Sequence, residues 1–312
     1  MAMMEVVMID TFGSREVRKF RKISIPTPGP NEILLKVKAA GINPVDWKIR
    51  EGLYPAVKSD KLPYVLGSDV SGVVEARGSG TSGHQMGDEI YAMLGIDRGA
   101  YAEHVIVKAN EAAPKPRSID HLAAAGVPLA GLTAWQGLFR YGELQAGQHV
   151  LIHGGSGGVG HFAIQFAKAK GAHVITTVSE KHIEFVREIG ADEVIDYKKQ
   201  KFENIVREVD VVFDLIGGET RKRSWPVLKK GGILVSTMME PFQEKMREFG
   251  VRAAHYTVQQ NGEELREIGS LIDAGKVKPK ISKVFDFHEV RSAHDYVEKG
   301  DTEGKVVLKV AD

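Results

Sequence analysis

Apolar and polar residues alternate along the first part of the chain, and this pattern predicts β-strands. It is clearest in three segments: residues 33–39, 69–75 and 102–107. Turn-forming residues bound the first of them, with Pro28 and Gly29 before it and Gly41 after it. Nine of the twelve prolines lie before position 130, as is usual where strands and turns dominate. Residues 1–124 therefore indicate a β-rich domain.

Beyond about residue 125, short apolar strands alternate with segments of helical periodicity. The strands are predicted at residues 149–152, 174–178, 193–195, 211–215 and 233–235. After the first of them, Val159, Phe162 and Phe166 recur at helical spacing. Apolar strands linked by helices indicate a parallel sheet that is covered on both faces. The fold class predicted for the chain is therefore α/β.

This change of pattern predicts two domains. Residues 125–262 would form a doubly wound parallel sheet, and the β-rich domain of residues 1–124 precedes it. The remaining segment, residues 263–312, holds a helix and short strands that are too small for a core of their own. We expect it to complete the first domain.

Composition and charge narrow the range of functions. Hydrophobic residues make up 43% of the 312 residues, and the net charge of +1 lacks the basic excess of nucleic-acid binders. Two basic clusters, at 221–223 and 229–230, are interpreted as solvated helix surface. With no cysteine, disulfides, thiolate nucleophiles and sulfur-ligated metals are excluded. The chain shows no signal peptide and no run of about 18 apolar residues, so we expect a cytoplasmic protein without a membrane partner.

A glycine cluster follows the first predicted parallel strand. Gly155, Gly157 and Gly160 form the pattern G-x-G-x-x-G between that strand and a helix, which is the context typical of dinucleotide binding. The first glycine permits a tight turn, the second lets backbone approach a pyrophosphate, and the third lets the helix pack closely. The alternative is a flexible loop. The predicted cofactor-binding residues here are Gly155, Ser156, Gly157, Gly158, Val159 and Gly160.

The end of the second parallel strand bears on the choice between NADH and NADPH. NADH sites usually carry Asp or Glu about 20 residues beyond the first glycine, to bind the ribose 2′-hydroxyl. Here Glu180 comes late, whereas Ser179 and Lys181 could bind a 2′-phosphate, so NADPH is the predicted cofactor. The alternative is a solvated turn in which Ser179 caps the next helix. Tyr197 and Ser236 end later strands, where ligands bind in such sheets, and are further candidates.

Several segments in order resemble the zinc-independent quinone oxidoreductase branch of the medium-chain dehydrogenase/reductase superfamily. They are A-G-I-N-P-V-D-W-K at 40–48, L-G-S-D-V-S-G at 66–72, G-V-P-L-A-G-L-T-A at 126–134, G-A-D-E-V-I-D-Y at 190–197, and G-K-V-V at 304–307. The resemblance implies a GroES-like catalytic domain and a Rossmann domain. Where zinc alcohol dehydrogenases carry Cys and His ligands, this chain has Asn43 and Ser68. No metal is therefore expected.

The resemblance also implies roles for individual residues. It implies that Asn43 and Thr133 lie near the nicotinamide ribose, that Lys48 stands where a cofactor-contacting Tyr is common, and that Tyr54 matches a proposed proton donor. The predicted catalytic residues are Tyr54, Asn43 and Lys48. Lys305, in the closing segment, is counted among the cofactor-binding residues. Two alternatives stay open: Asn43 could only cap the helix that begins at Pro44, and Tyr54 could be a surface aromatic.

The predicted function is an NADPH-dependent oxidoreductase that transfers hydride to quinones or α,β-unsaturated carbonyl compounds. Without a Lewis acid an alkoxide is hard to stabilise, which favours acceptors that delocalise the incoming charge. The alternatives are a nucleotide-binding structural or regulatory protein with little catalysis, and an enoyl-thioester reductase. An apolar segment at 251–254 is suited to a sheet edge that another copy covers, so a homodimer is expected.

Overall fold

The computed structural model describes residues 2–238, 242–300 and 302–311. In these residues the strands are β1 (Met3–Ile9), β2 (Arg18–Ser24), β3 (Glu32–Ile42), β4 (Tyr64–Val65), β5 (Asp69–Arg77), β6 (Glu89–Met93), β7 (His104–Lys108), β8 (Ala112–Pro114), β9 (His149–His153), β10 (His173–Val178), β11 (Glu193–Asp196), β12 (Val209–Asp214), β13 (Leu228–Ser236), β14 (Arg252–His255), β15 (Ile281–Asp286) and β16 (Lys305–Lys309). The helices are α1 (Pro44–Arg50), α2 (His121–Ala125), α3 (Pro128–Trp135), α4 (Gly160–Lys170), α5 (Ile183–Glu188), α6 (Gly218–Ser224), α7 (Gln243–Phe249), α8 (Gly262–Asp273) and α9 (Val290–Glu298).

The chain folds into two compact units. The first comprises Met1–Leu129, Gln260–Ala274 and Pro279–Asp312, and the second comprises Ala130–Gln259 and Gly275–Lys278. The domain boundary predicted after residue 124 would cut α2 before its last residue. That helix packs on β3 and β5, so it stays with the sheet of the first unit.

Antiparallel pairing dominates the first unit. The larger sheet runs in the order β15-β16-β3-β5-β6-β8, with β7 pairing β3 as well, and a smaller sheet runs β2-β1-β4. Strand β3 is central because it pairs β5, β7 and β16. Its apolar side chains Ile33, Leu35 and Val37 are fully buried in the core of this unit.

The second unit is built on a parallel sheet with the order β11-β10-β9-β12-β13-β14. Numbered from its first strand, this is the order 3-2-1-4-5-6 of a doubly wound sheet, which confirms the predicted α/β class. The strand order reverses between β9 and β12, and ligands of such folds bind beyond the carboxyl ends of the strands at that point. The strands read as nearly continuous apolar runs because both faces of the sheet are covered.

The two basic clusters match the prediction of solvated helix surface only in part: Lys222 and Arg223 are exposed on α6, and the other residues differ. Lys229 and Lys230 lie in β13, which begins at Leu228 because that buried residue pairs with Val209 of β12. Arg221 lies on α6 as expected but is 2% exposed, and its Nη1 donates to the Met238 carbonyl at 2.9 Å. Arg221 therefore faces the interior of the second unit, which the basic run by itself does not reveal.

Candidate functional site

The side chain of Asn43 lies at the centre of a buried polar group in the first unit. Its amide nitrogen donates to Asp69 Oδ2 at 2.8 Å, and its amide oxygen accepts from the Lys305 ammonium. That ammonium also donates to the Ile42 carbonyl at 3.1 Å and lies 3.4 Å from Asp69 Oδ2. The second carboxylate oxygen of Asp69 accepts the Leu129 amide at 2.6 Å. We call Asn43, Asp69 and Lys305 the Asn43 group.

Strand pairing brings the Asn43 group together. Asn43 directly follows β3, Asp69 begins β5 and Lys305 begins β16, and both of the latter strands pair antiparallel with β3. The pairing opposes Gly41 to Asp69. A Cβ at Gly41 would lie 2.4 Å from the Ala125 carbonyl oxygen and 2.8 Å from Asp69 Cβ, so only glycine permits this approach.

Asp46 supports the same region from α1. Asn43 is the N-cap of this helix, and its backbone N–H donates to Asp46 Oδ2 at 2.7 Å, as in a capping box. The Tyr101 hydroxyl donates to the same oxygen at 2.8 Å. Burial raises the pKa of Asp46 to about 7, against the lowering effect of both hydrogen bonds. Asn43 therefore caps the helix, as one reading expects, while its amide is held by Asp69 and Lys305.

Among the described residues, Lys48 and Tyr54 take no part in the hydrogen bonds of the Asn43 group. Lys48 lies on α1, partly buried, with its Nζ 5.8 Å from the centre of the Trp47 ring. Tyr54 is partly buried and packs against the core of the first unit. The three sequence-predicted catalytic residues thus all lie in the first unit. Of these three, Asn43 is the one that belongs to the hydrogen-bonded Asn43 group among the described residues.

The glycine-rich loop of the second unit joins β9 to α4. The tight turn is made at Gly154, whose φ is +77°, and not at Gly155. A Cβ at Gly155 would lie 2.1 Å from Thr176 Oγ1, and one at Gly160 would lie 2.1 Å from the Gly154 oxygen. These two glycines are therefore required by the close packing of the loop. A Cβ at Gly157 would lie 3.5 Å from the nearest atom, the Gly154 oxygen, so the backbone there is open to a ligand.

Beyond this loop, three predicted residues lie at the carboxyl ends of neighbouring strands. Ser179 follows β10 and is 6% exposed, Lys181 is exposed in the next turn, and Tyr197 follows β11 with 58% of its surface exposed. Glu180 bonds the Lys199 ammonium at 2.6 Å. The carboxylate of Glu180, close to the strand tip, is thus engaged by a lysine of its own unit.

Two buried residues at the strand-order reversal were missed by the sequence reasoning. His153 ends β9 and Asp214 ends β12, and the two are opposed in the pairing of these strands. Asp214 accepts the Gly217 amide at 2.8 Å and the Ser236 hydroxyl at 2.9 Å. Burial lowers the pKa of His153 to about 4, so its imidazole is neutral at pH 7. A polar residue closing an apolar strand was the available sequence signal.

Known proteins share both halves of this architecture. A profile described as "Alcohol dehydrogenase GroES-like domain" matches residues 29–117, and one described as "Zinc-binding dehydrogenase" matches residues 189–308. The NAD(P)H oxidoreductase RTN4IP1, mitochondrial, of Mus musculus is 36% identical, over 97% of this chain and 88% of its own. The NADPH-dependent alkenal/one oxidoreductase, chloroplastic, of Arabidopsis thaliana is 37% identical, over 98% and 79%. The structure of the quinone oxidoreductase from Coxiella burnetii matches with a TM-score of 0.93 at 37% identity, over 99% of this chain and all of that one.

The chain belongs to the quinone oxidoreductase branch of the medium-chain dehydrogenase/reductase superfamily. The family inferred from the sequence segments is confirmed, and with it the GroES-like and Rossmann folds. As a member of this branch the enzyme is an NAD(P)H-dependent oxidoreductase.

The residues of the Rossmann unit fit a dinucleotide. The open backbone at Gly157 and the start of α4 leave room and N–H groups for phosphates, and Lys181 supplies an exposed cation. Two other predicted residues make hydrogen bonds within this unit, Ser236 through its side chain and Thr133 through its backbone. The Ser236 hydroxyl donates to Asp214 and accepts from the Met238 amide, and the Thr133 carbonyl accepts from the Tyr256 hydroxyl.

Lys305 is buried in the first unit, and its role as a cofactor-binding residue stays a prediction. Its side chain is only 4% exposed, and three oxygens of the first unit surround its ammonium. An ammonium has three N–H donors, so each already has an acceptor inside the protein.

The described part of the chain lacks both a cluster of metal ligands and a membrane-spanning helix. Within 2–238, 242–300 and 302–311, no group of three or more His, Asp or Glu side chains could hold a metal ion. In the same ranges no helix is long and apolar enough to cross a membrane.

Proposed function

We propose that the enzyme is an NADPH-dependent reductase that transfers hydride to quinones or α,β-unsaturated carbonyl compounds without a metal. The observation that carries this proposal is the glycine-rich loop at the strand-order reversal, beside an exposed lysine at the end of β10 and a Glu180 carboxylate that Lys199 already engages. The names of the relatives, an alkenal/one oxidoreductase and a quinone oxidoreductase, support the acceptor class.

We assign cofactor binding mainly to the second unit, as its dinucleotide-binding domain. The backbone of 155–160 and the N-terminal turn of α4 would bind the pyrophosphate, since their N–H groups favour anions. Ser179 and Lys181 would bind the 2′-phosphate by charge-assisted hydrogen bonds. Tyr197 has an exposed ring suited to contact with the adenosine half. Thr133 and Asn43 would contact the nicotinamide ribose.

The first unit would act as the catalytic domain. The bound cofactor supplies hydride, and the protein supplies position and hydrogen-bond donors. The Tyr54 phenol would donate a hydrogen bond or a proton to the oxygen of the acceptor, where charge develops. Lys48 lies on α1 five positions after Asn43 and would add positive charge near that oxygen.

Two other activities make different predictions. An enoyl-thioester reductase would require an acyl chain on a long carrier for efficient turnover. A structural or regulatory nucleotide-binding protein would bind NADPH and reduce nothing. The name of the Arabidopsis relative favours the reductase of small conjugated carbonyls.

The experiment is a steady-state assay of NADPH oxidation with a panel of quinones, enones, alkenals and enoyl thioesters, repeated after exhaustive chelation. We expect turnover with the quinones and small conjugated carbonyls, unchanged by chelation. NADPH binding without turnover across the panel would favour the structural protein. Stoichiometric zinc, with activity lost on chelation, would contradict the metal-free reaction.

Assembly and location complete the proposal. We propose a homodimer formed through the edge strand β14 of the Rossmann sheet. A cytoplasmic location stays a prediction, since the names of two relatives carry the words mitochondrial and chloroplastic.

A further inference from the structure

We propose that Lys305 and Asp69 act as positioning residues that fix which way the Asn43 amide faces, so that Asn43 offers a ligand its remaining N–H donor in a set position. The proposal rests on the proposed function, in which Asn43 contacts the cofactor. It assigns Lys305 a role through Asn43 in place of a direct contact with the cofactor.

The contacts leave the amide a single favourable orientation. An ammonium carries only donors, so Lys305 must meet the amide oxygen; a carboxylate carries only acceptors, so Asp69 must meet the amide nitrogen. Rotation of the amide by 180° would set N–H against N–H and oxygen against oxygen. Because Asn43 and Asp69 are 2% and 0% exposed, water cannot compensate for either mismatch.

The two charged partners are themselves held in place. The Ile42 carbonyl accepts from the Lys305 ammonium, and the Leu129 amide donates to Asp69 Oδ1. Each bond restricts the partner from another element, so the charges cannot swing away from Asn43. A neutral pair of donors and acceptors could rotate, whereas a Lys–Asp pair cannot exchange roles.

The amide keeps part of its hydrogen-bonding capacity. A carboxamide has two N–H donors and two acceptor lone pairs on its oxygen. Asp69 accepts from one N–H, while the oxygen accepts from the Lys305 ammonium and, in the capping box, from the backbone N–H of Asp46. One N–H remains in a fixed position, and the oxygen of a ribose hydroxyl can accept from it.

Removing one charge alone is a poor test, because it leaves the other buried without compensation and destabilises the fold. The paired variant Lys305→Met/Asp69→Asn removes both charges together. The amide oxygen that Asp69→Asn introduces can still accept the Leu129 N–H, which turns the introduced NH₂ toward Asn43. The Asn43 amide oxygen must then accept from this NH₂ group, so the paired variant reverses the orientation of the Asn43 amide.

The experiment measures the NADPH dissociation constant by fluorescence titration, together with kcat, KM and the thermal midpoint. The proteins are the parent, Asn43→Ala, the paired variant, and the paired variant combined with Asn43→Ala. We expect Asn43→Ala and the paired variant each to weaken NADPH binding about three- to tenfold, the range for one neutral hydrogen bond. Combined with Asn43→Ala, the paired change should weaken binding no further.

Two more variants keep the test decisive if the paired variant is unstable. Lys305→Arg retains the charge and offers only donors, so we expect NADPH affinity near that of the parent. Lys309→Met, at an exposed lysine on the same strand β16, should leave binding and turnover unchanged.

Contrary results separate the two proposals. If Asn43→Ala weakens NADPH binding while the paired variant binds like the parent, Asn43 keeps its role and the positioning proposal is wrong. Additive losses, or a loss in Lys305→Arg as large as in the paired variant, would also overturn it. If Asn43→Ala has no effect on binding or turnover, the assignment of Asn43 to the cofactor fails and the inference fails with it.

Discussion

The Asp46 carboxylate accepts a hydrogen bond from the Tyr101 hydroxyl at 2.8 Å, and both side chains are completely buried. The same carboxylate oxygen accepts the Asn43 backbone N–H, so Asp46 ties the start of α1 to the core. Burial dominates over these bonds and raises the pKa of Asp46 to about 7.

Asp46 should make the folded state less stable as the pH rises. Its pKa is higher in the folded than in the unfolded chain, where it is 3.8, so the folded protein binds more protons between these values. Stability is then lost as the pH increases from about 4 to about 7. We expect Asp46→Asn to remove this loss, raising the free energy of unfolding at pH 8 by no more than about 4 kcal/mol at roughly 1.4 kcal/mol per pKa unit.

Thermal unfolding of the parent and Asp46→Asn, measured from pH 4 to 8, checks this. The matched control is Asp273→Asn, because Asp273 is an exposed carboxylate. Its slight burial raises its pKa, but hydrogen bonds from Ser118 have the larger effect, so the pKa is lowered. The difference between parent and Asp46→Asn should grow with pH. A difference that is constant over this range would mean that the Asp46 pKa is not raised.

Gly157 and Gly160 should respond differently to alanine. A Cβ at Gly160 would lie 2.1 Å from the Gly154 oxygen, so Gly160→Ala must displace the loop and lower both the thermal midpoint and NADPH affinity. At Gly157 the nearest atom is 3.5 Å away, so Gly157→Ala should keep the thermal midpoint. It should still weaken NADPH binding about tenfold or more, because the methyl group stands where a pyrophosphate approaches the backbone. Equal NADPH affinity in Gly157→Ala and the parent would place the pyrophosphate elsewhere.

Lys181 should determine the preference for NADPH over NADH. If its ammonium binds the 2′-phosphate, Lys181→Ala removes a hydrogen bond to a charged group, worth about 1.5–3 kcal/mol, or roughly ten- to a hundredfold in affinity. NADH lacks this phosphate and should bind equally to both proteins. Titration of both cofactors into the parent, Lys181→Ala and the exposed control Lys245→Ala is sufficient. An equal loss for NADH and NADPH would mean that Lys181 only shapes the turn after β10.

The edge strand β14 should carry the dimer contact. Light scattering at micromolar concentration should give twice the chain mass of 34.2 kDa. Ala253 is partly buried on β14, and Ala253→Asp should favour the monomer because charges on an edge block strand pairing. Glu248→Gln on the preceding helix α7 is the control. A monomeric parent would contradict the prediction.

The sequence alone determined the family and the central elements of the parallel sheet. The apolar runs at β9, β10 and β12 and the spacing of Gly155, Gly157 and Gly160 predict a parallel dinucleotide-binding sheet. These features are local: a strand or helix buries one face through residues two to four positions apart, and a phosphate-binding turn lies within a few residues. Local spacing is visible in the sequence without knowledge of the fold.

Only the tertiary structure decided which distant polar residues meet. Asn43 is separated from Asp69 by 26 positions and from Lys305 by 262, and the pairing of β3 with β5 and β16 brings them together. The same holds for Arg221, which a basic run predicts as solvated and the packing of α6 buries. The register between strands far apart in the chain is set by the packing of the whole core, and no local pattern encodes it. Whether a polar side chain is an exposed charge, a cofactor contact or a buried support therefore emerges only when the chain has folded.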